Sequence, residues 1–191
     1  METDRMGGVL VVERVYRGDP ERPKTLSPLE LAGVEEGDVL VSVNGVQIDS
    51  TQAAARLGQL LLGTAGQQIR LGLYRHGPSG GSTSTANPEE EQEDVTIVKP
   101  ISSAECADLR YLDWELSRTR QTQTLGGDDI GYVHLRAMGG DNYAEFAAQF
   151  YPVYNRSGLI LDVRHNRGGN IDSWILEKLL RKVKTKSALS A

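Results

Sequence analysis

The chain has 191 residues, of which 39% are hydrophobic and 25% are charged, and its net charge is -5. This composition is typical of a globular protein with one large or two small domains. A negative net charge argues against a dedicated nucleic-acid binder, which needs a basic surface. No apolar run approaches the roughly 18 residues that span a bilayer, so we expect no membrane segment.

The sequence shows neither a secretory signal nor a pair of cysteines, and the cellular compartment is predicted from these two features. The first residues, METDRMGG, have neither the basic start nor the apolar core of a secretory signal, so we predict a cytoplasmic protein. Cys106 is the only cysteine, which excludes an internal disulfide and fits a reducing compartment. No cluster of His, Cys and carboxylate residues has the spacing of metal ligands, so we predict no metal site and no cofactor.

The first hundred residues alternate strands with short helices. Residues 9–15 are rich in β-branched side chains and predict a strand. LSPLELAG predicts a short helix that Ser27 caps, with Pro28 at its first position. Asn44-Gly45 lies between two alternating runs and predicts a hairpin over 39–48. The later elements predicted here are a helix at 51–62 and strands at 69–74 and 95–98, with a flexible loop at 77–94.

The order of these elements, and above all the phrase LAGVEEGDVLVSVNG, resembles a PDZ domain. The resemblance implies a partly open β-barrel with helices, which binds the carboxyl end of a peptide as an added strand at a sheet edge. In PDZ domains a short glycine-containing loop before the second strand holds the carboxylate. Because only METDRMGG precedes the first recognisable strand, we predict that residues 1–100 form a PDZ-like domain without its first strand and carboxylate loop. The alternative is a packed spacer with no peptide-binding role.

A second pattern begins after Pro100. Apolar residues among charges predict an amphipathic helix at 103–120 that leads into the next domain, which we place at 101–191. Strand, helix, strand and helix then follow at 130–135, 143–150, 158–163 and 171–182. This βαβα order implies a parallel strand pair joined by a right-handed crossover.

Several phrases of this half resemble the core of tricorn-type serine peptidases, which are relatives of the C-terminal processing peptidases. The phrases are LRYLDW, GYVHLRAMG, FYP, GLILDVRHNRGGN and ILEKLLRK. Such peptidases also place a PDZ domain directly before this unit. The resemblance implies an α+β chain with a crotonase-like or Clp-like half-core, and hydrolysis of peptide bonds in cytosolic oligopeptides. We expect peptides as partners and a homo-oligomer in the full-length protein.

Gly168 and Gly169 lie between a buried strand and the last helix. Backbone N–H groups at a helix N-terminus, with no side chain in the way, suit the negative charge that develops on a scissile carbonyl. The resemblance assigns the oxyanion-hole donor to Gly169, with Gly168 in the same oxyanion loop. Arg164 and Arg167 either bind a substrate carboxylate or are solvated loop charges.

The resemblance also implies which groups are missing. In the family the catalytic serine lies downstream of the glycine block, and the histidine base lies upstream of the PDZ domain. We therefore predict a fragment that does not hydrolyse peptides alone, and whose exposed sheet edge favours self-association. The serines and histidines that match neither position are Ser173, Ser187, Ser190, His76, His134 and His165.

Alternative interpretations remain for single residues and for the whole chain. Asp162 ends a buried strand and is either a catalytic carboxylate or, as we prefer, a loop cap or ion-pair partner. Trp114 and Trp174 are predicted core or interface anchors. We disfavour a nucleotide loop, because NRGGN lacks both the spaced glycines of a dinucleotide loop and the Lys-Ser/Thr of a P-loop. The remaining alternative is a non-catalytic module in which the PDZ part binds peptide ends.

Overall fold

The structure is a computed structural model that describes residues 2–6, 9–48, 53–75 and 93–188. His76 and most of the predicted loop at 77–94 lie outside the described residues. The chain divides into two compact units, Met1–Asp113 and Trp114–Ala191, which we call unit 1 and unit 2. Both units mix helices with an open sheet. No described helix is long and apolar enough to cross a membrane.

Unit 1 is built on an antiparallel sheet. Its strands pair in the order β1-β2-β3-β5-β6, with β4 on β3, so β1 and β6 form the two edges. The described α-helices that lie wholly within unit 1 are α1 (Pro28–Leu31) and α2 (Ala53–Leu61). The strands are β1 (Glu2–Met6), β2 (Val9–Arg14), β3 (Val39–Val43), β4 (Val46–Gln47), β5 (Ile69–Tyr74) and β6 (Asp94–Val98).

Two local predictions in unit 1 are confirmed. The Ser27 hydroxyl accepts hydrogen bonds from the N–H groups of the first turn of α1, and Glu30 completes a capping box, which satisfies donors that a helix start leaves unpaired. Asn44 and Gly45 have φ values of 52° and 79°. Two consecutive positive φ values are what the tightest hairpin turn requires. The turn therefore sets the register of β3 against β4.

Strand β1 was not predicted from the sequence. It pairs antiparallel with β2, from Glu2 opposite Arg14 to Met6 opposite Val9. The phrase ETDRM has no alternation of apolar and polar residues, so periodicity gives no strand signal there. A strand that the sequence pattern did not predict therefore precedes residue 9. That the domain lacks the family's first strand and its carboxylate loop stays a prediction.

The long helix α3 (Ser103–Gly126) begins at the predicted residue and runs past the predicted end. Its buried residue, Asp113, accepts hydrogen bonds from Nη2 of Arg14 at 2.6 Å and from the Arg17 N–H at 3.1 Å. These bonds attach the first half of α3 to unit 1. We placed the domain boundary between residues 100 and 101, whereas the structure divides the chain after Asp113.

Unit 2 contains the predicted βαβα order. Strands β7 (Ile130–His134) and β8 (Gly158–Asp162) are parallel, and α4 (Gly140–Phe150) connects them. Helix α5 (Asp172–Ala188) follows β8. The prediction of a parallel pair with a helical crossover is therefore confirmed. The core of the unit comprises Val133, Leu135, Phe146, Phe150, Ile171 and Ile175.

Unit 2 also exposes apolar side chains. Within the described strands β8 pairs only with β7, and Ile160 on β8 is 46% exposed. Trp174 and Leu180 on α5 are more than half exposed as well. Trp174 lies edge-on against Tyr143, with ring centroids 5.5 Å apart. Such a surface is compatible with the self-association that we predicted, which stays a prediction.

Candidate functional site

The candidate site of unit 2 lies where its two parallel strands end. Parallel strands place their carboxyl ends at one edge of a sheet, where the following loops meet. The loop after β7 covers residues 135–139 and the loop after β8 covers residues 163–171, and we call them the β7 loop and the glycine loop. Leu135 N–H donates to the Asp162 carbonyl at 2.9 Å, and Arg167 N–H donates to the Arg136 carbonyl at 3.1 Å. The two loops therefore continue the pairing of the strands.

Met138 joins the two loops at the glycines. Its N–H donates to the Gly168 carbonyl at 2.8 Å. Its carbonyl accepts from the Asn170 N–H at 2.8 Å and from the Ile171 N–H at 3.1 Å. In a planar trans peptide the C=O and the next N–H point in opposite directions. Because the Gly168 carbonyl points toward Met138, the Gly169 N–H points away from the β7 loop.

The two glycines have different roles in the backbone. The Gly168 N–H donates to Oδ1 of Asn166 at 2.7 Å, so this donor is occupied. Within the described part of the chain the Gly169 N–H has no hydrogen-bond acceptor, and Gly169 is exposed. A Cβ at Gly169, where φ is +145°, would collide with the Met138 carbonyl, whereas a Cβ at Gly168 would meet nothing within 4 Å. Only glycine fits at 169, and its N–H is available to a ligand.

Helix α5 begins at Asp172, shortly after this free donor. The first N–H groups of a helix and its dipole favour negative charge nearby. Helix α4 begins at Gly140, directly after the β7 loop. The glycine loop and the β7 loop thus both end at helix N-termini. This arrangement can stabilise an anion or a developing oxyanion.

The structure separates the two candidate arginines. The Arg164 guanidinium binds both carboxylate oxygens of Asp162, and it also lies over the Trp114 ring, 5.1 Å from the centroid. The Arg167 guanidinium, in contrast, makes no hydrogen bond or ion pair with any residue that the structure describes. Of the two guanidinium groups, that of Arg164 is therefore engaged and that of Arg167 has no partner among the described residues.

Asp162 is held by several donors at once. It is 7% exposed and accepts from the Tyr132 hydroxyl at 2.8 Å and from the Arg164 N–H at 3.0 Å, in addition to the Arg164 guanidinium. The hydrogen bonds from the Arg164 side chain are the main reason that the pKa of Asp162 lies well below its usual value. Burial, and then the bond to Asp162, raises the pKa of Tyr132. This environment supports a structural role for Asp162 rather than a catalytic one.

The histidines and serines of unit 2 are spread over several elements. His134 is buried at the end of β7, with Nδ1 2.9 Å from the Asp162 carbonyl, so Nδ1 carries the proton. His165 has a φ of 61° and lies edge-on to Trp114, with ring centroids 5.4 Å apart. Ser173 is exposed in the first turn of α5, Ser187 lies near the end of that helix, and Ser190 is outside the described residues.

Sequence reasoning missed Asn166 and Met138 as parts of the site. Asn166 donates through Nδ2 to the Leu135 carbonyl at 2.9 Å and accepts the Gly168 N–H. An Asn two positions before a glycine is a signal for a local side-chain turn, which could have indicated the second contact. Met138 acts through its backbone, which leaves no signature in the sequence.

Unit 1 offers two further features. Strand β1 pairs with β2 and with no other described strand, so one row of its backbone groups lies at a sheet edge. A mostly apolar cavity of about 160 Å³ lies elsewhere in the unit. Its lining residues from the described chain come from α1, the sheet, α2 and α3, and include Leu29, Leu40, Leu57, Leu61, Cys106 and Leu109.

Comparisons with known proteins agree with this architecture. Residues 1–86 match the family Tricorn protease PDZ domain, and residues 129–187 match Peptidase family S41. Two tricorn protease homologues of Streptomyces coelicolor are each 31% identical to the chain over 92% of its length, and the chain spans 14% and 15% of their lengths. A crystal structure of the tricorn protease matches the fold with a TM-score of 0.71 at 24% identity, over 92% of this chain and 16% of that one.

Proposed function

We propose, from the membership of this chain in the tricorn-type serine peptidases, that it forms part of a longer enzyme that hydrolyses peptide bonds in oligopeptides. Unit 1 is the PDZ-like domain that positions peptide, and unit 2 is the oxyanion-binding half of a crotonase-like or Clp-like core. The observation that carries the proposal is the N–H of Gly169, an exposed residue, which has no acceptor among the described residues. The enzyme is cytoplasmic and assembles as a homo-oligomer.

The proposed chemistry needs a donor that is already in place when charge develops. As a serine oxygen adds to the scissile carbonyl, the carbonyl oxygen becomes an oxyanion. The Gly169 N–H donates to that oxygen, and the N-terminus of α5 adds positive potential. Because Met138 fixes the Gly168 carbonyl, the donor does not have to turn toward the oxyanion during the reaction.

Arg167 is the proposed binding group for a substrate carboxylate. Its exposed guanidinium has no partner among the residues that the structure describes, and it lies two positions before the proposed donor. A guanidinium binds a carboxylate through two parallel hydrogen bonds, so Arg167 would orient the peptide as well as attract it. Arg164, which was an equal candidate in the sequence, is engaged by Asp162.

The nucleophile and the histidine base are proposed to lie outside this chain. We expect no hydrolysis of a chromogenic peptide by the 191-residue chain and clear hydrolysis by a longer version that includes the downstream serine. The Ser173→Ala variant of the short chain is the control. Activity of the short chain that survives this substitution would refute the missing nucleophile, and an inactive longer version would refute the peptidase assignment.

A second candidate function is the capture of peptide carboxyl ends by unit 1. The unpaired edge of β1 favours it, because an extended peptide can add there as a further strand. None of the described residues that line the cavity of about 160 Å³ belongs to β1, so the proposal rests on the strand edge alone. We expect short peptides with a free carboxyl end to bind more tightly than their amidated forms in a calorimetric titration. Equal affinity would exclude recognition of the carboxylate.

A further inference from the structure

Asn166 uses both ends of its side-chain amide to join the two loops of unit 2. Nδ2 donates to the Leu135 carbonyl at 2.9 Å, and Oδ1 accepts from the Gly168 N–H at 2.7 Å. A carbonyl can only accept and a backbone N–H can only donate, so these two partners fix which end of the amide is oxygen. The side chain is half-buried, and its bond to the Leu135 carbonyl is partly shielded from water, whereas its bond to the Gly168 N–H is exposed. Asn166 therefore links the end of β7 to the glycines.

The bond to Gly168 decides which of two adjacent N–H groups is free. The peptide between Arg167 and Gly168 is held by Asn166, and the peptide between Gly168 and Gly169 is held by Met138. Gly168 and Gly169 both have positive φ, and glycine turns between backbone conformations at little cost. Without the Asn166 oxygen, the first of these peptides would lose its anchor. The Gly168 N–H would then be a second unpaired donor, and the direction of the Gly169 N–H would be less well defined.

We infer that Asn166 is a positioning residue that reserves the Gly169 N–H as the oxyanion donor, an inference that rests on the proposed peptidase function. Asn166 does not touch the substrate. It acts by occupying the neighbouring Gly168 donor and by fixing the glycine loop to the Leu135 carbonyl. Its contribution is to transition-state stabilisation, because the ground-state peptide makes little use of an oxyanion donor.

The test compares three variants in the longer, active version of the protein. Asn166→Ala removes both bonds and is expected to lower kcat by about a hundredfold, with KM within about twofold of the unmodified value. Asn166→Asp keeps an acceptor for the Gly168 N–H but loses the donor to the Leu135 carbonyl and adds a negative charge, so it is expected to recover only part of the lost kcat. Asn155→Ala is the matched control, because Asn155 is exposed between α4 and β8 and makes no hydrogen bond among the described residues. It should keep the unmodified kcat.

Amide hydrogen exchange on the same proteins with 15N-labelled glycine provides a readout that does not need activity. The Gly168 amide should exchange more slowly than the Gly169 amide, and Asn166→Ala should abolish that difference while Asn166→Asp retains it. An unmodified protein without peptidase activity would overturn the function and the inference together. An active enzyme in which Asn166→Ala keeps its kcat, or in which Gly168 is unprotected, would overturn the inference alone. If Asn166→Ala does not fold, the exchange of the Gly168 amide in the unmodified protein and in Asn166→Asp decides, because slow exchange in both supports the inference and rapid exchange in either overturns it.

Discussion

Gly169→Ala is expected to destabilise unit 2 far more than Gly168→Ala, although both positions have positive φ. A left-handed conformation costs an alanine about 1–2 kcal/mol, and this is the whole expected effect at Gly168, where a Cβ has free space. At Gly169 the Cβ would also collide with the Met138 carbonyl, which is backbone and cannot rotate away. The glycine loop and the β7 loop would have to separate, with loss of the bonds that Met138 makes to Gly168, Asn170 and Ile171.

Urea unfolding followed by tryptophan fluorescence measures this difference. The chain has two tryptophans, Trp114 and Trp174, and both lie in unit 2, so the signal reports on that unit. The free energy of unfolding should fall by clearly more for Gly169→Ala than for Gly168→Ala. Equal losses would mean that the Met138 carbonyl does not approach Gly169 as closely as the structure shows.

Asp162→Ala is expected to lower the free energy of unfolding of unit 2 by about 3 kcal/mol. This figure is the lower end of the range for breaking a buried ion pair, because the Arg164 side chain is 60% exposed and can turn to water. The Tyr132 hydroxyl is buried and would lose its acceptor at 2.8 Å. Asp129→Ala is the control, since Asp129 is exposed and makes no side-chain hydrogen bond within the described residues.

The same residue predicts a pH dependence with a definite sign. The pKa of Asp162 is lowered in the folded state, chiefly by Arg164, relative to about 3.9 in an unfolded chain. The unfolded state therefore takes up protons first as pH falls, and stability is lost below about pH 4. Asp162→Asn cannot be protonated and should lack this loss. The difference in unfolding free energy between the unmodified chain and Asp162→Asn should shrink between pH 5 and pH 2.5, and a constant difference would contradict the assignment.

The elements with a regular pattern could be predicted from the sequence. The Asn44-Gly45 turn and the Ser27 cap depend only on residues that are close together in the chain, and both are present as expected. Strand β1 was missed because its stability comes from pairing with β2 and not from periodicity. Helix α4 begins at Gly140, earlier than predicted. The Asn142 side chain accepts the Gly139 N–H at 3.1 Å and so starts a helix in residues that usually interrupt one.

The location of the site could be predicted from the sequence, but the hydrogen-bonding state of its individual groups could not. The glycine pair between an apolar strand and a helix indicated where an oxyanion donor could lie, although β8 proves only partly buried. The family resemblance assigned the donor to Gly169, but the residue pattern gave no physical reason to prefer it to Gly168, because that difference depends on the Asn166 side chain and on Met138 in another loop. The sequence also could not separate Arg164 from Arg167, since only the fold shows that Arg164 turns back onto Asp162.

The availability of the Gly169 N–H for an oxyanion is tested most directly by NMR. The longer protein, labelled with 15N-glycine, is mixed with a peptidyl boronate, which adds the catalytic serine oxygen to form a negatively charged tetrahedral adduct. The Gly169 amide proton should move strongly downfield on adduct formation, because it gains a charge-assisted hydrogen bond. The Gly168 amide, already bonded to Asn166, should move little. An adduct that leaves the Gly169 resonance in place would contradict the assigned donor.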